Sequence, residues 1–261
     1  MKTKNRIIRK NAFRFLIVFL VQVVATTGAF AQTIPLYKNS RAPINERVKD
    51  LLGRMTPTEK FWQLFMIPGD IKPGEGYKYK DGLFGFQVSA ASAGAEGAQQ
   101  MLQYNATETA VSLAKKVNAI QRFFMDSTRL GIPMLPFDEA LHGLVRQGST
   151  IFPQSIGLAA TFNTSTMEAV AGAIAKESKI RGIRQILSPV INIATDVRWG
   201  RTEETYGEDP FLSSKMGVAY MKTLEDENII ATPKHFVANV GDGGRDSYPI
   251  DMNERYLSEI H

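Results

Sequence analysis

The sequence contains no cysteine, and this absence excludes several kinds of chemistry. A chain without cysteine has no disulfides, no thiolate nucleophile, no cysteine-ligated zinc and no lipid-modified cysteine. Histidine is also scarce, because only positions 142, 235 and 261 carry it, and these lack the spacing of an H-E-x-x-H zinc site. We therefore expect neither a metal ion nor another cofactor.

Acidic residues are absent from the first 31 positions, which hold six Lys and Arg residues. The basic residues precede an apolar run at 15–25, and Ala29-Phe30-Ala31 follows it. This order predicts a signal peptide over residues 1–31, cleavage after Ala31, and export to the periplasm or the cell exterior. The alternative is a transmembrane anchor, but the run is shorter than the roughly 20 apolar residues of a span. We expect no membrane association after cleavage.

The remaining residues, 32–261, are nearly neutral. The formal charge of the whole chain is +5, so taking away the six basic charges of the first 31 residues leaves −1. A basic surface for nucleic acid is therefore not expected. With 44% hydrophobic and 22% charged residues in the chain, 32–261 is predicted to fold as a globular domain. Nothing in the sequence indicates an oligomeric state.

Helical and strand patterns alternate along this domain. Helices are predicted at 45–66 (broken near Pro57), 106–129, from a capping box at Ser165 to Gly182, from the Asp209 cap to 228, and from 253 onward. Strands are predicted at 82–88, 132–137, 185–194 and 229–237.

This alternation predicts an α/β fold with parallel strands joined by helical crossovers. Two architectures remain open: an open sheet of four or five strands, and the N-terminal portion of a (β/α)8 TIM-like barrel. Four strands already occupy most of the chain, and a helical pattern is still in progress at His261. We favour the barrel, truncated after about four to five β/α units.

Polar residues lie at the carboxyl ends of three of the predicted strands, at the edge where parallel sheets bind ligands. They are Asp138, Glu139 and His142 after the second strand, Asp196, Arg198, Arg201 and Glu204 after the third, and Lys234 and His235 at the end of the fourth, with Arg245 in the glycine-rich loop beyond. An acid among several donors suits a neutral, polyhydroxylated ligand, whose buried hydroxyls each need a partner. Tyr77, Tyr79 and Trp199 are candidate stacking faces for such a ligand.

Each of these residues also has a purely structural interpretation. Asp138 or Glu139 could cap the next helix, Arg198 and Arg201 could be surface partners of Glu203 and Glu204, and either histidine could belong to the scaffold. The loop GDGGRD lacks the spacing of a phosphate-binding loop, and its acids do not fit a calcium loop.

Four motifs, in this order and at these separations, resemble the N-terminal domain of family 3 glycoside hydrolases, the β-glucosidase and β-xylosidase family. They are FDEALHG, TIFPQSIGLAATFN, RWGRTEETYGED and KHFVAN. The resemblance implies hydrolysis of terminal non-reducing β-D-glycosyl residues of oligosaccharides by a retaining double displacement. It assigns binding of the sugar in the −1 subsite to Glu139, Arg201, Lys234, His235 and Arg245. Glu204 and His142 become positioning residues.

The sequence departs from the family pattern in three ways. The aspartate nucleophile and the acid/base are expected beyond His261, so no catalytic residue is assigned within the chain and the fragment itself is expected to lack turnover. Tyr248 stands where the N-acetylhexosaminidase branch has histidine, which argues against that branch. Glu139 replaces the aspartate frequent in glucosidases, which favours pentose or dual specificity. The competing hypotheses are a non-catalytic exported sugar-binding protein and an unrelated open-sheet protein that binds phosphorylated ligands.

Overall fold

The computed structural model describes residues 34–88, 108–241 and 250–261. They fall into two compact units, divided after Met55. In the first unit, a 3-10 turn at Leu36–Lys38 precedes helix α1, Ile44–Arg54. The Asp50 carboxylate accepts a hydrogen bond of 3.0 Å from the backbone N–H of Tyr37, and Arg47 Nε donates to the Tyr37 carbonyl at 3.0 Å. The turn and the helix are thereby tied together.

The second unit is built on parallel strands. Its strands are β1 (Met66–Pro68), β2 (Gly85–Gln87), β3 (Leu135–Asp138), β4 (Gln185–Ile186) and β5 (Ile230–Ala231). Its helices are α2 (Pro57–Trp62), α3 (Ala110–Ser127), α4 (Ser155–Ala159), α5 (Thr164–Ile180), α6 (Pro210–Asp226) and α7 (Glu254–Ile260), with 3-10 turns at Gly76–Tyr79, Val197–Trp199 and Thr202–Glu204.

The strands of the sheet lie side by side in chain order, β1-β2-β3-β4-β5, and every pair is parallel. A doubly wound open sheet reverses its strand order part-way, whereas a barrel wall does not. The α/β class and the five parallel strands of a partial barrel are therefore confirmed. None of the helices within the described ranges has the length and apolar character that a membrane crossing needs.

Helices α3, α5 and α6 each contribute an apolar face to the core of the second unit. In α3 the buried residues Leu113, Val117, Ile120 and Phe124 recur every three or four positions, as an amphipathic helix requires. They pack into one core with residues of α5, α6 and the strands, and the rings of Phe86 and Phe124 lie 6.2 Å apart. This packing holds the strand ends in register.

Close approach of two strands requires glycine at position 85. A Cβ atom added there would lie 2.6 Å from the Leu135 carbonyl oxygen of β3. Strand β1 pairs with β2 beside it, with Met66 opposite Gly85. The predicted helix up to Met66 is therefore wrong at its end, because α2 stops at Trp62 and pairing with β2 makes Met66 a strand residue.

Several other boundaries also differ from the sequence prediction. The cap of α5 is Asn163, whose side chain accepts from the N–H groups of Ser165 and Thr166, so the predicted Ser165 cap is wrong. The cap of α6 is Asp209, as predicted. Strands β4 and β5 are shorter than predicted, because regular pairing stops at Ile186 and Ala231 and only an isolated bridge between Val190 and Lys234 follows. Helix α4 was not predicted, and the predicted start of α3 at residue 106 lies outside the described residues.

Candidate functional site

Glu139 and Lys234 meet at the carboxyl ends of the strands, although 95 positions separate them. Glu139 directly follows β3, and the Lys234 Nζ lies 2.9 Å from each of its carboxylate oxygens. Backbone bonds hold Lys234 in place past the end of β5, since its N–H donates to Pro189 and its carbonyl accepts from Ile191. The sheet geometry thus continues into the site despite the prolines.

The electrostatic environment of Glu139 disfavours its charge. Burial is the main reason that the pKa of Glu139 lies above its ordinary value of 4.5, and the charge and hydrogen bond of Lys234 act in the opposite direction. The negative charges of Asp138 and Glu204 raise the pKa further. Glu139 therefore needs cations or hydroxyl donors around it to remain ionised.

Arg201 and Glu204 form a buried bidentate ion pair. Arg201 Nε and Nη2 each donate to one Glu204 oxygen at 2.7 Å, and the two side chains are only 6% and 10% exposed. The guanidinium also lies 5.7 Å from the ring centre of Trp199. A short 3-10 turn, Thr202–Glu204, brings the acid back to its arginine. The structural alternative for Arg201, a surface pair, is wrong because the pair is buried.

His235 is held by Asn192, a residue that the sequence analysis missed. The Asn192 Oδ1 lies 2.9 Å from the His235 backbone N–H and 2.9 Å from the ring Nδ1. Because this oxygen can only accept, Nδ1 carries the ring proton. Trp199 packs edge-on against the imidazole at 6.3 Å. The available signal was a single asparagine within the mostly apolar run QILSPVINIA.

His142 lies in the loop that follows Glu139 and is bonded within that loop. Its Nδ1 donates to the Phe152 carbonyl at 2.8 Å, and the Phe152 N–H donates back to the His142 carbonyl at 2.8 Å. Gly143 must be glycine, because its φ is +126° and a Cβ would lie 2.3 Å from the Thr150 carbonyl oxygen. His142 therefore ties the two ends of this loop together.

A cavity of about 140 Å³ opens beside Glu139. Its lining comprises Gln87 at the end of β2 and residues 138–146, including Arg146, which the sequence analysis also missed. Ligand pockets usually measure about 300–1,000 Å³, so this cavity is smaller than a typical ligand pocket.

Other predicted contributors lie elsewhere. Trp199 is 0% exposed and Tyr79 packs against Phe86 in the core, so neither offers a stacking face. Arg198 is a surface residue paired with Asp196. Arg245 lies outside the described residues. Among the described residues, no group of three His, Asp or Glu side chains is arranged to hold a metal ion.

Known proteins resemble the chain in both sequence and fold. A β-xylosidase from Formosa agariphila is 37% identical over 169 residues, which cover 58% of this chain and 23% of that protein. A periplasmic β-glucosidase from Salmonella typhimurium is 29% identical over 80% of this chain and 26% of its own length. The chain therefore spans about a quarter of the length of these relatives.

The solved structures agree with these relatives. A β-glucosidase from Erythrobacter marinus superposes with a TM-score of 0.66 at 28% identity, covering 79% of this chain and 27% of that one. An exo-1,3/1,4-β-glucanase from a Pseudoalteromonas species gives a TM-score of 0.66 at 26% identity, covering 87% and 29%. Residues 78–261 match the glycosyl hydrolase family 3 N-terminal domain. The chain belongs to glycosyl hydrolase family 3.

Proposed function

We propose that this chain is the sugar-binding part of an exported β-glycosidase that removes terminal non-reducing β-D-glucosyl or β-D-xylosyl residues with retention of configuration. The observation that carries the proposal is the Glu139–Lys234 pair at the strand ends. The names of the relatives, β-xylosidase and periplasmic β-glucosidase, support the substrate class and the exported location.

The charges around the cavity suit a neutral ligand. Three acids of this region are each matched by a cation, in the pairs Glu139–Lys234, Glu204–Arg201 and Asp138–Arg146. A site with balanced charge offers a neutral sugar both acceptors and donors without attracting anions. The pairing therefore favours a sugar over a phosphorylated ligand.

Each group at the site has a proposed role in binding the ring at the −1 position. Glu139 accepts hydrogen bonds from hydroxyls, while Lys234, Arg201 and His235 supply the remaining polar contacts, and Arg245 adds another. Glu204 orients Arg201, and His142 holds the loop after Glu139. These contacts accelerate the reaction only so far as they strengthen when the ring becomes oxocarbenium-like.

The chemical step itself needs two further carboxyl groups. One carboxylate attacks the anomeric carbon as the leaving-group oxygen takes a proton from the other, and water then releases the sugar from the enzyme. We propose that both groups lie beyond His261 in the full-length gene product. Residues 1–31 are proposed to be the signal peptide, and 32–261 the barrel portion.

The test is hydrolysis of 4-nitrophenyl β-D-xylopyranoside and β-D-glucopyranoside by the full-length gene product. We expect turnover, with the β-anomer as the first product in NMR spectra. Replacing Lys234 by Met should lower kcat/KM by about 10²-fold, the effect of losing one donor to the transition state. A matched control is Lys222→Met, because Lys222 is exposed on α6. Sugar binding without hydrolysis would instead identify a non-catalytic sugar-binding protein.

A further inference from the structure

A second ion pair lies directly behind Glu139, and the assigned sugar contacts do not include it. Asp138 is fully buried at the end of β3, and the Arg146 Nη2 lies 3.1 and 3.2 Å from its two oxygens. The same carboxylate accepts the backbone N–H of Glu139 at 2.9 Å and the Gln87 amide at 3.4 Å. Asp138 thus controls the backbone at the residue that binds Lys234.

The loop that carries Arg146 is anchored to α5 and its C-terminal cap by two residues. Glu177 accepts from the Thr150 N–H and hydroxyl, the latter at 2.8 Å. The buried Arg181 donates to the Gln147 carbonyl at 3.0 Å. These bonds hold both residues that flank the 148–149 turn, so Arg146 is supported by a helix rather than by a free loop.

The loop also contains a strained residue. Val145 has a φ of +41°, a left-handed conformation that β-branched side chains rarely adopt. Its carbonyl accepts a 3.0 Å hydrogen bond from Arg146 Nη1. Such strain persists where surrounding contacts impose it, and it often occurs at functional sites. Val145 lies next to Arg146, in the loop that Glu177 and Arg181 anchor.

We propose that Asp138 and Arg146 form a positioning pair that fixes the Glu139 carboxylate for sugar binding. The proposal rests on the sugar-binding role of Glu139. Arg146 neutralises Asp138, which lets a buried carboxylate hold the Glu139 N–H without repelling the neighbouring acid. Removal of either partner should therefore disturb both the placement of Glu139 and its ionisation.

The two partners should shift the ionisation of Glu139 in opposite directions. Glu139 is faced by the charges of Lys234, Asp138 and Glu204, and the last two are paired with Arg146 and Arg201. Asp138→Asn is nearly isosteric and removes a negative charge near Glu139. The pH below which sugar affinity is lost should therefore decrease. Arg146→Met removes the cation that pairs with Asp138, so this pH should move up.

The experiment measures D-xylose and D-glucose binding by calorimetry across pH, with wild-type and variant full-length gene product. Asp138→Asn should weaken binding at neutral pH about tenfold, or about 1.4 kcal/mol. Asp226→Asn is the matched control, because Asp226 belongs to an exposed pair on α6 and its loss should change neither affinity nor pH profile.

Each result decides between defined alternatives. A lower melting temperature for Asp138→Asn with unchanged affinity and pH profile would refute the positioning role and leave only a structural one. If Arg146→Met does not fold, Asp138→Asn still decides the matter. Failure of the wild-type protein to bind either sugar would reject the proposed function and, with it, this inference. If the wild-type protein bound sugar and the variants showed the same affinity and pH profile, this inference would be rejected and the proposed function would stand.

Discussion

Replacement of Glu204 by Gln should destabilise the protein substantially, because it removes the carboxylate that forms a bidentate ion pair with the buried Arg201 guanidinium. Removing one partner of a buried ion pair costs about 3–5 kcal/mol. One hydrogen bond to the Gln oxygen survives and retains about 1 kcal/mol. The free energy of unfolding should therefore fall by about 2–4 kcal/mol.

The chain offers both a local probe and a matched control for this change. It has two tryptophans, and Trp199 lies 5.7 Å from the Arg201 guanidinium, so urea unfolding in a Trp62→Phe background reports on this site through its fluorescence. Glu203 is the adjacent residue but is exposed, and Glu203→Gln should alter stability by no more than about 0.5 kcal/mol.

A double variant refines the same experiment. Arg201→Met together with Glu204→Gln removes both charges, so it should be less destabilised than Glu204→Gln alone. Surface substitutions usually change stability by no more than about 0.5 kcal/mol. If the unfolding free energies of Glu204→Gln and Glu203→Gln differed by no more than about 0.5 kcal/mol, the buried ion pair would contribute less to stability than its geometry implies.

Three further predictions concern the sugar contacts and the scaffold. Glu139→Asp shortens the acid by one methylene and should lower the ratio of xyloside to glucoside kcat/KM in the full-length gene product; an unchanged ratio would disprove the proposed pentose preference. Because burial raises the pKa of Glu139 above 4.5, its protonation should weaken sugar binding as the pH falls through that raised pKa, whereas Glu139→Gln should abolish this acid limb in calorimetry. A wild-type affinity that stays constant as the pH falls to the ordinary glutamate value would contradict that expectation. Asp209→Ala removes the cap of α6 and should cost about 1 kcal/mol of unfolding free energy, whereas Asp209→Ser should restore most of it, as urea titrations would show.

The polar residues at the strand ends could be identified from sequence because parallel strands direct their carboxyl ends to one edge. Their position at the strand ends marks Glu139 and Lys234 as site residues, and the two form a direct ion pair in the structure. Arg146 and Asn192 carry no such mark in the sequence. Arg146 resembles any loop arginine in sequence, and only the fold carries it back to Asp138.

Helix capping was predictable only where the local signal was unambiguous. Asp209 followed by Pro210 has one natural interpretation, and the structure confirms the cap. At α5, Asn163 and Ser165 are both good caps in isolation. Which of the two residues caps α5 depends on the path of the segment between α4 and α5, and tertiary packing sets that path.

Local sequence by itself determined the alternation of helices and strands, the helix faces that form the core, and the presence of acids and cations after the strands. These properties depend on residue spacing and on turn chemistry over a few positions. Tertiary structure alone decided that Met66 joins a strand, that Trp199 is buried beneath the site, and that Asn192 holds His235. Each of these depends on a partner far along the chain, and no local pattern contains that partner.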